Sequence, residues 1–320
     1  MKIDASLAAV DKLLKRTIES EPIVNDLYRH VFQVSGKQLR AKLCLISSLN
    51  EPNYEKLDDE YEEDRIKLAA IIELLHSATL VHDDVIDLAS QRRGQETVSE
   101  AWSNSHAVLI GDYIYSRAFV LMAQIGVPEI IDELADATNK IAQGELIQLQ
   151  NKKNWNADIK VLQKINYYKT GRLFEAATKT GSIISERNKK DADILTSVSM
   201  QLGIAFQMQD DLLDYGLSNI DIGKPKLQDI KEQKITFPLM FALEESSNQT
   251  KKDIKNMLNS KEVIAEKIYD FVLSTSAIKK CNQLLDHNFK RTQELIRNIS
   301  DNYISLEMLN LLDEVWKRDY

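Results

Sequence analysis

Residues that turn a chain are scarce here. The 320 residues include only ten glycines and five prolines, well under the ~7% and ~5% usual for soluble proteins. No Asn-Gly or Asp-Gly pair occurs, so the strongest signals for a tight β-hairpin are missing and long helices are expected instead. Cysteine is almost absent: Cys44 and Cys281 stand alone, without CxxC or any thiolate metal-ligand spacing. That argues against a zinc ribbon or a disulfide framework and predicts reduced thiols in a cytoplasmic protein. Positive charge is in deficit too. Lys and Arg number 41 against 49 Asp and Glu, a net charge of −8, which disfavours a nucleic-acid partner and makes any basic site a local one. No run of ~18 uninterrupted apolar residues is present. The nearest approach, Ala107 to Val127, is broken by Asp112 and Arg117, so no membrane span is expected. The first residues, MKIDASLAAVDKLLKR, carry acids early and lack a long apolar core, unlike a secretory signal.

What the chain does have is charge in apolar places. From Glu73 to Gly94 it reads ELLHSATLVHDDVIDLASQRRG. A helix-compatible apolar run is interrupted by His76, His82, Asp83, Asp84 and Asp87, and closes on Arg92 and Arg93. Carboxylates at i and i+4 share a helix face, where Asp83 and Asp87 would repel without a cation between them. Hard oxygen donors with no thiolate nearby suit Mg²⁺, which binds a few carboxylates plus substrate phosphates. Paired arginines a short loop further on suit a phosphate. A lone DDxxD is ordinarily a solvated helix face. The pattern returns, however, as FQMQDDLLDY, with Asp210, Asp211 and Asp214 again in apolar surroundings. Charges are seldom buried unless paired or metal-bound, so two acidic helix faces are expected to meet across one cavity.

The pattern elsewhere predicts helices over residues 3–19 and 22–33, with Pro22 in the first turn, and an apolar helix ending at Leu49 after Gly36-Lys37-Gln38-Leu39-Arg40. Residues 50–60 read as a solvated loop. The central helix follows from Tyr61 to Leu88, then a polar loop with the two arginines, and helices from His106 to Ile125 and Pro128 to Gln150. Asn156 or Asp158 can cap the next helix, which reaches Ile184. Lys190 to Tyr215 is helical, and Gly216 to Lys234 is the longest irregular candidate, of the kind that forms functional lids. Five amphipathic helices are expected beyond Pro238. No solenoid repeat or linker divides the chain, so a single all-α domain over residues 1–320 is the simplest architecture.

Taken together, these motifs resemble the trans-type (head-to-tail) polyprenyl diphosphate synthases, most closely their bacterial octaprenyl-forming members. The resemblance runs from about Gly36 to Pro238 and more weakly to the C-terminus. It implies one large bundle of mostly antiparallel helices around a central cavity, and the Mg²⁺-dependent condensation of isopentenyl diphosphate with an allylic diphosphate such as farnesyl diphosphate. Asp83, Asp87 and Asp210 are the first choices as direct ligands. Asp84, Asp211 and Asp214 are expected to act through water or to orient the others. By resemblance, Lys37, Arg40, His76 and Arg93 hold the isopentenyl diphosphate. A lone His on an apolar helix is ordinarily a hydrogen-bonded core residue, but two turns before Asp83 it falls near the same face. Arg92, Lys169, Thr170, Gln207, Lys224 and Lys234 match positions on the allylic side, with Lys169, Thr170 and Gln207 next to the reacting bond.

Product length is also addressed by the resemblance. Aromatic residues four or five positions before the first aspartate close the product tunnel in short-chain members. Here those positions are Thr79 and Ala78, so long chains are expected, with Leu75, Met122 and Leu134 lining the tunnel. A homodimer, a role in ubiquinone side-chain synthesis, cytoplasmic location and only peripheral membrane contact for product release follow by analogy. The family commonly reads GKxxGDDLxxGKxTxP where this chain has GKPKLQDIKEQKITFP. Leu227 and Gln233 replace two glycines, Gln228 an aspartate, and Ala41 a frequent proline; loss of the glycines bears on closure of the lid. Four alternatives compete. A geranylgeranyl- or farnesyl-length synthase differs only in the tunnel. A terpene cyclase lacks a second DDxxD, an HD-type phosphohydrolase does not explain Arg92-Arg93-Gly94, and an inactive partner subunit tends to lose one acidic motif.

Overall fold

The computed structural model describes residues 2–16, 20–49, 59–156, 158–216, 227–260 and 264–316. In order the helices are α1 (Lys2–Lys15), α2 (Pro22–Phe32), α3 (Leu39–Ser47) and α4 (Asp59–Ile86). Strands β1 (Gln91–Arg92) and β2 (Gln95–Glu96) come next, then α5 (Val98–Ala101), α6 (Asn104–Ile125), α7 (Pro128–Asn151) and α8 (Ile159–Asn166). A π-helical turn (Tyr167–Gly171) leads into α9 (Arg172–Ile184) and α10 (Lys189–Asp214). The chain closes with α11 (Gln228–Lys231), α12 (Phe237–Glu245), α13 (Asn248–Leu258), α14 (Ala265–Leu273), α15 (Ala277–Ile296) and α16 (Asn302–Trp316). The all-α expectation holds, including the five closing helices. The difference is a two-rung antiparallel ribbon, Gln91 opposite Glu96 and Arg92 opposite Gln95. Arg93 and Gly94, at φ 54° and 74°, make the tight turn for which Asn-Gly is the usual signal.

The punctuation explains the helix ends. Ser103 caps α6 by accepting the His106 N–H at 3.4 Å, and Gly126, at φ 69°, ends it in the left-handed conformation that glycine adopts without strain. Pro128 then opens α7 where a missing N–H costs nothing. Of the two candidate caps for α8, Asp158 serves, accepting from Lys160 N at 2.8 Å.

The chain forms two compact units. One comprises Met1–Thr138, Leu173–Thr196 and Ile299–Leu311; the other Asn139–Arg172, Ser197–Asn298 and Leu312–Tyr320. The first is built round α4, whose residues from Leu68 to Leu75 are buried on every side, as an all-round apolar helix must be. Burying Leu68, Ile71, Ile72, Leu74 and Leu75 contributes ~1.5–3 kcal/mol each relative to exposure. α6 packs along α4, and α3 is buried at every position but Lys42. The last carbonyls of α3 are taken by distant side chains. Arg65 donates to Leu45 O at 2.8 Å, Arg187 to Ser47 O at 3.3 Å and Tyr61 to Ser48 O at 2.6 Å. Two guanidiniums there complement the negative end of the helix dipole.

In the second unit, Trp155, Tyr215, Phe237, Phe241, Ile268, Val272 and Cys281 share one apolar core. On α14, Ile268 and Val272 are fully buried, whereas Ile264, just before its first residue, is half-exposed. The Trp155 indole N–H reaches Asn259 Oδ1 at 3.0 Å, and Tyr215 stacks on Tyr269 with centroids 6.3 Å apart. Among the described residues, α6 alone is long and apolar enough to cross a membrane, with a mean hydropathy of 1.2. It packs on α4, α2 and α5 and carries Asp112 and Arg117.

Candidate active site

The first acidic motif ends α4. Asp83 and Asp87 are partly exposed, and the Asp87 N–H donates to Asp83 O at 2.8 Å, so helical spacing persists through the motif. Asp84 is buried at 5% exposure, and one of its oxygens receives both Nε and Nη2 of Arg92, at 2.8 and 2.7 Å. Removal from water still leaves its carboxyl above the ordinary range, against the pull of Arg92. Beside the motif, the His82 ring donates to Val108 O at 3.1 Å and occupies the space a side chain at Gly111 would need. Burial first, and then the charges of Asp83 and Asp112, push Tyr115 up to about 12.

The basic residues of this unit converge from three elements. Arg93 lies at the tip of the β1–β2 ribbon with its guanidinium against Gly36; a Cβ there would lie 2.6 Å from Nη2. Its Nη1 donates to Val34 O at 3.3 Å. The segment from Ser35 to Gln38 is held from the other side by Asp11 of α1, which accepts from Ser35 Oγ at 2.6 Å and Gln38 Nε2 at 3.5 Å. Arg40 is buried, its guanidinium 4.5 Å from the Phe174 ring centre, and its Nη1 donates to His76 Nε2 at 3.2 Å. That contact makes Nε2 the acceptor and puts the imidazole proton on Nδ1. Removal from water, then the charges of Arg40, Arg93 and Arg92, hold His76 well below 6.5, so the ring is neutral at pH 7. Glu73 accepts the Ala41 N–H at 3.1 Å. The proline common in the resembled family has no N–H to give, which gives the Ala41 substitution a physical use.

The second unit holds the other motif. Asp211 is buried and accepts from Gln207 Nε2 at 3.1 Å and from Phe237 N at 3.0 Å. Thr170 Oγ1 donates to Gln207 Oε1 at 3.0 Å, so Thr170, Gln207 and Asp211 form one chain of hydrogen bonds. Asp214 accepts the Gln228 and Asp229 N–H groups at 2.9 and 3.1 Å. Burial, with repulsion between neighbouring acids, raises Asp211 strongly and carries Asp229 to about 7. Lys169 projects from the π-turn, where it contacts Glu145 at 2.5 Å and Gln148 at 2.7 Å. Gly144 admits it: a Cβ there would lie 2.9 Å from Lys169 Cγ. Gln148, Lys169, Gln207, Asp211, Asp229 and Lys234 line one cleft. Lys234 also pairs with Glu232 at 2.6 Å, and Lys224 lies outside the described residues.

Of the tunnel candidates, Leu75, Ala78, Met122 and Leu134 are buried. Thr79 is half-buried, with its hydroxyl on His76 O at 2.7 Å. Sequence reasoning passed over Asp11, Glu145 and Gln148. The isolated Gly144 in a glycine-poor chain was the available signal of a close approach beside Glu145.

The polyprenyl synthetase family model matches residues 21–274. Octaprenyl diphosphate synthase of Escherichia coli (strain K12) is 34% identical over 238 residues, 74% of this chain and 72% of that protein. Among solved structures, a decaprenyl diphosphate synthase from Rhodobacter capsulatus superposes with a TM-score of 0.89 at 30% identity, covering 99% of this chain and 97% of that one. A polyprenyl synthase from Caulobacter crescentus CB15, complexed with calcium and isoprenyl diphosphate, gives 0.88 at 26% identity, covering 100% and 98%.

Proposed function

The chain belongs to the polyprenyl synthetase family, and we propose that it makes octaprenyl diphosphate by Mg²⁺-dependent addition of isopentenyl diphosphate units to an allylic diphosphate, as one synthase domain acting in the cytoplasm. It is a prenyltransferase with the isoprenoid synthase fold, and the relatives it matches include long-chain synthases. The observation that carries the reading is the basic cluster. Arg93 on Gly36, Arg40 on the neutral His76 of α4, and the adjoining Lys37 gather cations from α3, the segment before it and the ribbon, in a chain whose overall charge is −8. Such a cluster suits a diphosphate. Neutral His76 offers Nδ1–H as a donor, since Arg40 occupies Nε2.

The acidic residues fit a hard divalent ion. Their donors are all oxygen, and among the described residues no three His, Cys, Asp or Glu side chains form a ready-made cage. Mg²⁺ is suited to that, because it ordinarily completes its shell with water and substrate oxygens. Asp83 and Asp87 would be direct ligands on the first unit, and Asp210 on the second. Asp84 in the first motif, already engaged by Arg92, and Asp211 and Asp214 in the second, engaged by Gln207, Phe237 N and the Gln228 and Asp229 N–H groups, would each orient the ligands of their own motif. When bound, the ion supplies Lewis-acid stabilisation of the departing diphosphate. Arg92, Lys169 and Lys234 would add positive charge on the allylic side, joined by Lys224 from outside the described residues, and the hydrogen-bonded Thr170–Gln207 pair would supply dipoles that stabilise the forming cation.

Purified protein with farnesyl diphosphate, labelled isopentenyl diphosphate and Mg²⁺ should yield dephosphorylated products centred on the octaprenyl length. Asp83→Ala and Asp210→Ala should each lower turnover by orders of magnitude while the helical circular dichroism persists. Absence of label in any product would sink the synthase reading, and products of geranylgeranyl length would restrict it to the shorter-chain alternative. A second copy of the chain is the proposed partner. Val108, Leu109, Phe119 and Val120 on one face of α6, with Asp112 and Ser116 among them, are 42–66% exposed, which is more large apolar surface than a solvated helix face needs. Light scattering should give twice the 36.6 kDa chain mass; Phe119→Glu that leaves the mass unchanged would remove this face from the interface.

A further inference from the structure

We infer that His30 is a positioning residue for the arginine ribbon, acting through Gln95 and Glu96 on the reach of Arg93. The inference rests on the proposed role of Arg93 at the isopentenyl diphosphate. His30 belongs to α2, far in sequence from the ribbon, and its ring uses both nitrogens on β2. Nε2 lies 2.8 Å from Glu96 O. A carbonyl can only accept, so Nε2 carries the hydrogen and Nδ1 is bare. Nδ1 in turn takes a hydrogen from Gln95 Nε2, 2.8 Å away. The same amide gives its other hydrogen to the main-chain carbonyl of His30 at 3.1 Å. Trp102 supports the ring edge-on, centroids 4.9 Å apart. The set is closed: each hydrogen has an acceptor, and the tautomer follows from the contacts.

The ribbon needs such a clamp. Two rungs of antiparallel pairing do not hold themselves together in water, and Arg93 occupies a left-handed conformation at φ 54° that an arginine enters only under constraint. One arm is tied down by Arg92 on Asp84. The return arm, Gln95–Glu96, is tied by His30. Between them they aim the Arg93 guanidinium at Gly36. Loosening the return arm should let Arg93 leave that position without touching the acidic motifs.

The test is steady-state kinetics with each substrate varied in turn, on His30→Leu, Gln95→Leu, the double variant, His30→Gln and Arg93→Ala, with thermal melts of each. His30→Leu and Gln95→Leu are each expected to raise KM for isopentenyl diphosphate ~10-fold, with kcat and the allylic KM within ~3-fold of wild type. The double variant should be no worse than the worse single one, because both remove the same clamp. His30→Gln, whose amide N–H can reach Glu96 O, should recover most of the loss. If Arg93→Ala raises that KM while His30→Leu and Gln95→Leu do not, the clamp is overturned and the Arg93 reading stands. If Arg93→Ala leaves it unchanged, the Arg93 reading fails and takes the clamp with it. Equal loss for both substrates, in step with a lower melting temperature, makes His30 merely structural and also overturns the inference. Should His30→Leu fail to fold, Gln95→Leu alone decides, since Gln95 lies on the ribbon and outside the helix.

Discussion

Leu227 and Gln233 stand where the family commonly has glycine, and both take a left-handed backbone, at φ 61° and 60°. The substitution is legible in the sequence; that the backbone keeps the glycine-like shape is not, because the Leu227–Asp229 turn is held by Asp214 and Gln233 lies between main-chain bonds to Ile230 and Lys153. Holding a side chain there costs ~1 kcal/mol or more. The two sites should respond oppositely to glycine. Gln233 is half-buried and its side-chain amide donates to Leu258 O at 3.4 Å, a long contact, so Gln233→Gly should raise unfolding free energy by ~0.5–1 kcal/mol. Leu227 is packed in the core at 8% exposure, and Leu227→Gly should lower it by ~2–4 kcal/mol. Urea melts of both variants check the pair, and a loss at Gln233 would show that strain is not what governs that position. Asp191 gives a pH-dependent case. Although removal from water works the other way, hydrogen bonds from Ser300 and Asn188 hold its carboxyl below 3.8. A carboxylate depressed on folding stabilises above its unfolded pKa, and the benefit disappears as pH falls through the lower, folded value. The stability difference between wild type and Asp191→Asn, measured in urea, should therefore be full at pH 6–7 and shrink below about pH 4; a difference independent of pH would refute the assignment.

At the scale of the element, α3 shows how a helix that carries a site is held. Its N-terminal side bears Arg40, and its C-terminal carbonyls are taken by Arg65, Arg187 and Tyr61. Alongside, α9 approaches so closely that a Cβ on Gly181 would lie 2.2 Å from Ser47 Oγ and 2.7 Å from Cys44 O. A hydroxyl can rotate away, whereas a helix carbonyl cannot. Gly181→Ala should lower stability by ~1–3 kcal/mol, and Ser47→Ala in the same chain should restore only part of it, as thermal melts will show; complete restoration would mean the carbonyl had room to move. Elements bounded by Gly126, Pro128 and Asp158 were readable, since each boundary has its own local chemistry. Two elements were not. The π-turn has the composition of any helix, and its extra residue becomes visible only through Lys169 meeting Glu145 and Gln148. The ribbon turns on Arg-Gly, and its support comes from His30, distant in sequence. Motifs named which groups carry charge; the partners that orient them lie too far along the chain to be read.

For the whole molecule the open quantity is product length. Ala78 is fully buried and stands at a position where, by resemblance, a large residue stops growth. Ala78→Phe should shorten the products toward farnesyl or geranylgeranyl size with the first condensation intact, read by chromatography of the dephosphorylated chains. Overpacking of a filled core would instead lower stability by ~1–3 kcal/mol and leave the length distribution unchanged. The two cysteines carry a different consequence. Cys44 lies in α3 of one unit and Cys281 in α15 of the other, and burial pushes each thiol up to about 12. Neither should react with an alkylating reagent while its surroundings are closed, because only an accessible thiolate is a nucleophile. Each is thus a natural clock for the breathing of its own half. The ratio of the two labelling rates, followed by peptide mass spectrometry in mild denaturant, distinguishes a protein that opens as one body from one whose halves come apart in sequence.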